Sequence, residues 1–147
     1  MASRGIELGR RFKLALDDQA LQREREEQER KRRLAEAREA RKLLLGDLAA
    51  FGQEVGHLTV KTRGDGLVLR YGERSVTLEP MGGGDRIKVR FDGQGEGEHR
   101  LYREPALQLR WVYAVRTSHG ADNRVLLFDD GLEELMVTAL GLPRPSR

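Results

Sequence analysis

The sequence QREREEQERKRR occupies residues 22–33, and none of its twelve side chains is apolar. Every residue in it is compatible with an α-helix. Opposite charges recur four positions apart, at Glu26 and Arg30, at Glu27 and Lys31, and at Glu29 and Arg33. Each such pair stabilises a helix by only ~0.2–0.5 kcal/mol. Because no hydrophobic core can form against this stretch, we expect a helix that bridges solvent or contacts a partner.

The residues around this stretch predict how far the helix extends. Asp17 and Asp18 are suitable N-caps, because their carboxylates can accept the free amide protons of a first turn. Helix-compatible residues then continue to about Phe51, and glycine and proline become frequent after Gly56. We therefore predict a poorly ordered or loosely helical N-terminus at 1–16, a charged amphipathic helix at 17–55 and a separate domain at 56–147.

The second half of the predicted helix carries apolar residues on alternating three- and four-residue steps. The residues of this seam that we predict to bind a partner or a second copy of the chain are Leu34, Ala37, Leu44, Leu48 and Phe51. The seam is about three heptads long, which is the lower limit for a coiled coil. Alternatively, the stripe packs on the chain's own sheet, because Leu43 and Leu45 widen its apolar face. Both alternatives hold if the C-terminal end of the helix docks on the chain's own domain and the remainder of the helix pairs with another chain.

The second part of the chain has the pattern of short β-strands separated by glycine-rich turns. Asp65-Gly66 is a hairpin signal, and residues 80–85, 93–97 and 118–123 are predicted connections. The longest predicted strand has Leu107, Leu109, Trp111, Tyr113 and Val115 facing inward. The predicted strands are 58–63, 67–71, 75–79, 86–92, 99–103, 107–116 and 124–128.

A helix is predicted after the last strand, with Asp129 or Asp130 as its cap and Gly141 as its end. The predicted fold class is therefore α+β. It consists of a long charged N-terminal helix followed by a small antiparallel β meander or partly open barrel of about seven strands, closed by a C-terminal helix. Over residues 56–142 this element order resembles the pleckstrin-homology architecture. The resemblance includes no motif, so it implies no lipid binding.

Several classes of protein are excluded by composition. The chain has no cysteine, so disulfides and thiol chemistry are excluded. Its apolar runs are too short for a membrane helix, which needs ~20 residues. Residues 1–16 lack the apolar core of a secretory signal. We therefore expect a cytoplasmic protein.

The sequence offers little for catalysis or for a cofactor. The glycines at 82–84 precede a strand rather than a helix that begins with Lys and Ser or Thr, so they do not predict a phosphate cradle. His57, His99 and His119 are too far apart to predict a metal site, and no nucleophile elbow surrounds Ser118. The acidic pairs Asp129-Asp130 and Glu133-Glu134 are explained by helix capping. We predict no enzyme activity, no cofactor and no metal.

Basic side chains are the remaining functional feature, although 27 basic residues stand against 24 acidic ones. The outward strand positions and the helix cluster that could bind a nucleic-acid backbone are Arg30, Lys31, Arg32, Arg33, Lys61, Arg63, Lys88, Arg90, Arg110 and Arg116. RNA-binding sheets usually expose aromatic residues, whereas Phe91, Trp111 and Tyr113 are predicted to face inward. We therefore predict an adaptor that self-associates or docks a protein partner through its helix, with sequence-independent nucleic-acid binding as the alternative.

Overall fold

A computed structural model of the chain describes residues 2–82, 85–91, 98–117, 120 and 122–146. The predicted connections at residues 83–84 and 93–97, together with Ser118 and His119, lie outside the described residues. The chain divides into two units, Met1–Glu36 and Ala37–Arg147. The first unit is helical, and the second contains the sheet.

Helix α1 spans Ala2–Val55. The predicted helix start at Asp17 or Asp18 is wrong, because the helix already includes the residues before them. Leu, Arg, Glu, Lys and Ala dominate residues 6–16, and all of them favour a helix. The helix ends where Gly56 adopts a φ of 81°, which is the left-handed conformation that commonly terminates helices.

Seven antiparallel strands follow in a single sheet, and their spatial order equals their order in the chain. This arrangement confirms the predicted meander of about seven strands. Two-residue turns connect β1 to β2 and β2 to β3, with Gly64 and Gly72 at positive φ. The strands are β1 (Thr59–Arg63), β2 (Gly66–Tyr71), β3 (Arg74–Pro80), β4 (Arg86–Phe91), β5 (Glu98–Glu104), β6 (Arg110–Arg116) and β7 (Asp122–Leu126).

One face of the sheet forms the core of the second unit. Side chains alternate between the two faces of a strand, and the strand register aligns Leu67 with Leu78 and Leu78 with Val89. Leu44 and Leu48 of α1 pack into the same core. Helix α2 (Leu132–Leu140) adds Leu135, Met136, Ala139 and Leu140. The predicted closure of the sheet by a C-terminal helix is thereby confirmed.

The connection between β5 and β6 differs from the prediction. Strand β6 begins at Arg110, and Pro105–Leu107 form a 3-10 turn in which the Glu104 carboxylate accepts a hydrogen bond from the Ala106 amide at 3.2 Å. Leu107 and Leu109 are exposed, so their predicted inward orientation is wrong. Pro105 lacks an amide proton and favours the first position of such a turn. The local turn therefore overrides the alternation of apolar residues.

The end of the sheet also differs from the prediction. Strand β7 ends at Leu126, and a π-helical turn (Leu127–Gly131) leads directly into α2. Gly131, not Asp129 or Asp130, occupies the N-cap position of α2, and no side chain caps it. The predicted end of α2 is confirmed, because the Gly141 amide donates to the Val137 carbonyl at 3.1 Å.

Candidate interaction surfaces

The N-terminal part of α1 exposes a row of apolar side chains. All side chains from Ser3 to Gln28 are exposed. Leu8, Phe12 and Leu16 are four residues apart and therefore lie on one face of the helix. Phe12 is 63% exposed, the same fraction as Leu14. At 100° per residue, Leu14 projects about 160° away from this apolar row of Leu8, Phe12 and Leu16.

Sequence reasoning missed the apolar row, because residues 1–16 were expected to be poorly ordered or only loosely helical. The four-residue spacing of Leu8, Phe12 and Leu16 was the signal that could have revealed it. Gly5 and Gly9 lower the intrinsic helix propensity of this segment, since glycine weakens helices. In the structure both glycines lie within α1.

Further along α1, the charged stretch is held by local ion pairs. Two of the three predicted pairs are present, between Glu27 and Lys31 at 3.6 Å and between Glu29 and Arg33 at 3.2 Å. Arg32 also binds Glu29 at 2.6 Å. These hydrogen bonds, Arg32 first, lower the pKa of Glu29 below its ordinary value. Among the described residues Glu26 accepts a hydrogen bond from Gln22 and does not pair with Arg30.

Most of the predicted partner-binding seam packs within its own unit. Leu44 and Leu48 are 2% and 0% exposed and belong to the core, as the alternative of packing on the chain's own sheet predicts. Ala37 is buried, and Phe51 packs against the core while partly exposed. Arg41 occupies the position between Ala37 and Leu44 where the seam has no apolar residue, and it donates a hydrogen bond to the Met81 carbonyl at 3.0 Å. Leu34 is half-buried, and binding of another chain by these residues stays a prediction.

An apolar groove of about 490 Å³ lies in the second unit. It is lined mainly by Phe51 and Val55 of α1, Leu132 and Met136 of α2, and Leu142 and Pro143 of the C-terminal segment. We call it the α1–α2 groove. Polar groups are few in its lining and include His57, Tyr71, Asp129 and Glu133. Phe128 also lines the groove and is 57% exposed.

The six cations predicted on the outward strand positions do share one face of the sheet. The register pairs Lys61 with Val68, Lys88 with Arg100 and Arg110 with Glu104, and all of these residues lie on the face opposite to the core. Further arginines on this face that the sequence analysis did not single out are Arg70, Arg86, Arg100 and Arg124. We refer to this surface as the basic face.

Carboxylates interrupt the basic face. Glu79 lies beside Arg90 at 3.3 Å, and Glu104 and Glu98 are paired in register with Arg110 and Arg116. The Asp122 carboxylate accepts hydrogen bonds from Arg100 and Arg124, both at 3.1 Å. Desolvation raises the pKa of Asp122, but these hydrogen bonds outweigh it, so the pKa lies below its ordinary value. The face is therefore a mixture of both charges with a basic excess.

Tyr102 lies within the basic face, between two arginines. The guanidinium carbons of Arg100 and Arg124 are 5.5 and 5.9 Å from the centroid of its ring, within the range of cation–π attraction. Its hydroxyl is buried and has no hydrogen-bond partner within the described part of the chain. These two cation–π contacts would compete with the stacking of a base on this ring.

The two histidines with described positions, His57 and His99, do not form a common site. His57 lines the α1–α2 groove, whereas His99 is buried and its Nδ1 lies 2.6 Å from the Tyr113 hydroxyl. No group of three potential metal ligands occurs among the residues with described positions. Of the acidic pairs near α2, Glu133 and Glu134 both contact Arg144.

Comparison with known proteins adds no relative. No family model, no curated protein and no solved structure matches this chain. In the described residues no helix combines the length and the apolar character needed to cross a bilayer. Function is therefore inferred from the surfaces themselves.

Proposed function

We propose that this chain is a non-enzymatic interaction protein that docks a partner through the N-terminal part of α1. The observation that carries the proposal is the exposure of the apolar row of Leu8, Phe12 and Leu16 on a regular helix. Helices that bind in grooves use anchors at this kind of spacing. An isolated helix of this composition gains little from ion pairs alone, so contact with a partner would stabilise it.

The proposal differs from the sequence prediction in which residues make the contact. The seam residues Leu44 and Leu48 are used by the core of the chain itself. Exposed large apolar side chains remain at Phe12 and its neighbours, and aromatic anchors commonly dominate the binding energy of an interface. We therefore assign the main contact to the apolar row.

Affinity capture from native lysate tests this proposal with a matched pair of variants. Phe12→Asp places a charge in the apolar row, whereas Leu14→Asp changes an equally exposed residue on the opposite side of the helix. We expect the wild type and Leu14→Asp to retain one specific partner, which is either another protein or a second copy of this chain. Phe12→Asp should lose this partner. Equal retention by both variants would remove the apolar row from the proposal.

A second candidate function is sequence-independent nucleic-acid binding. It is favoured because ten basic residues lie together on the basic face. Arg90→Glu with Arg110→Glu should abolish binding of single-stranded DNA and RNA at low salt, since phosphate contacts dominate such affinity. Arg38→Glu, an exposed change on α1, serves as the control. A wild-type chain that shifts neither nucleic acid at low salt would eliminate this candidate.

A further inference from the structure

The α1–α2 groove has the size and the chemistry of a binding site. Its volume of about 490 Å³ falls within the ~300–1,000 Å³ typical of ligand pockets. The floor is formed by aliphatic and aromatic side chains such as Phe51, Leu132 and Met136. Phe128 in the lining is more than half exposed, so its ring is accessible to an occupant of the groove.

The charge beside the groove is negative. Asp129 and Glu133 line it, and Asp130 and Glu134 are their neighbours in the sequence. Arg144 contacts Glu133 at 3.8 Å and Glu134 at 2.8 Å. The charged carboxylates in the described lining are those of Asp129 and Glu133. Arg144 and Arg74, whose guanidinium lies beside Gly141, do not belong to this lining, so a basic occupant is favoured.

The N-terminal part of α1 has the complementary properties. Its apolar row has the i, i+4, i+8 spacing that helix-in-groove recognition uses. The segment from Ser3 to Leu16 is basic, because it contains one acidic residue, Glu7, and four basic ones. The basic residues are Arg4, Arg10, Arg11 and Lys13. A basic, amphipathic helical segment is thus present in every copy of the chain, as is the acidic apolar groove.

We propose that the α1–α2 groove of one copy binds the apolar row of a second copy. This inference rests on the proposed function and identifies its partner. Phe12 is the central anchor in the groove, and Arg11 and Lys13 lie toward Asp129 and Glu133. When each of two copies donates its helix and its groove, the exchange closes into a two-fold dimer.

Light scattering and native mass spectrometry of the full-length chain test this proposal. Phe12→Asp removes the helix anchor and Phe128→Asp removes the exposed groove residue. Neither side chain is buried, so both variants should retain the wild-type circular dichroism spectrum. Leu14→Asp and Leu43→Asp are the controls, because they alter exposed leucines outside the row and outside the groove.

We expect the wild type and both controls to form dimers, and each test variant alone to dissociate with a Kd raised roughly tenfold or more. A mixture of Phe12→Asp and Phe128→Asp chains should recover a mixed dimer, because the first retains an intact groove and the second an intact helix. If the dimer instead formed by pairing of one helix with the other, the mixed dimer would not be recovered, because the Phe12→Asp chain brings a defective helix.

Three results would overturn the inference. If Phe128→Asp dimerises like the wild type, or if the mixture forms no mixed dimer, the groove is not the partner surface. A wild-type chain that is monomeric at all concentrations excludes a second copy as the partner. In each case the proposed function is judged separately, by whether Phe12→Asp loses a captured protein that Leu14→Asp retains.

Discussion

The Nδ1 atom of His99 lies 2.6 Å from the hydroxyl oxygen of Tyr113, and both residues are buried in the core. The Phe91 ring lies against His99, with the centroids 4.4 Å apart. The sequence predicted that Tyr113 faces inward, but it gave no sign of its polar partner. The buried hydroxyl and the buried imidazole form a hydrogen bond with each other, which makes the pair important for stability.

Replacement of Tyr113 by Phe should lower the free energy of unfolding at pH 7 by about 1–3 kcal/mol, because the buried hydrogen bond between the His99 imidazole and the Tyr113 hydroxyl is lost. The gap between wild type and variant should narrow at alkaline pH. Burial, and to a smaller extent the charge of Glu134, raises the pKa of Tyr113. The unfolded chain therefore loses this proton first, near pH ~10, and the stability that Tyr113 contributes falls as the pH rises further. Urea unfolding between pH 7 and 11 measures this, and a constant gap would contradict it.

Leu48 and Leu43 provide a test of which face of α1 is used within the second unit. Leu48 is 0% exposed, whereas Leu43 is 62% exposed. Leu48→Ala should cost about 2–5 kcal/mol of unfolding free energy, as for other buried leucines, and Leu43→Ala should change it by less than about 0.5 kcal/mol. Denaturant titration of both variants measures the difference. Similar costs would show that the seam does not pack as described.

Two glycines of α1 should respond in opposite directions to replacement by alanine. A Cβ atom at Gly46 would meet nothing within 4 Å, so Gly46→Ala should raise the free energy of unfolding by about 0.5–1 kcal/mol through helix propensity. At Gly52 the new atom would lie 2.7 Å from Val60 Cγ2 and 3.0 Å from Leu69 Cδ2. Gly52→Ala should therefore lower the free energy of unfolding by about 1–3 kcal/mol. Thermal unfolding of the pair checks both signs, and a stabilised Gly52→Ala would show that the helix does not approach the sheet so closely.

Much of the fold was predictable from the sequence, because alternation and turn residues act locally. Short glycine turns such as those at Gly64 and Gly72 favour the pairing of β1 with β2 and of β2 with β3. The order of the remaining strands could not be predicted, because order in the sequence does not settle which strands are neighbours in space. The basic face was also predictable, since a period of two places Lys88 and Arg90 opposite Ile87 and Val89. These features depend on residues that are close together in the chain.

Other features depend on competition between local signals or on distant residues. Leu107 and Leu109 continue a strand pattern, but Pro105 and the capping carboxylate of Glu104 favour a turn. The seam at Leu44 and Leu48 fits a coiled coil and a sheet-packing helix equally well, and only the position of the sheet decides between them. The α1–α2 groove was unpredictable, because its walls come from Phe51, Met136 and Leu142, which are far apart in the sequence.

The central claim is that the N-terminal part of α1 binds another molecule, and that this molecule is a second copy of the chain. Hydrogen–deuterium exchange of residues 3–28 measured over a range of protein concentrations tests it most directly, since amides of a helix without tertiary contacts exchange readily. We predict that protection of these amides increases with concentration in the wild type and in Leu14→Asp, and that Phe12→Asp abolishes the increase. Exchange that is equally fast at every concentration in all three proteins would contradict the claim.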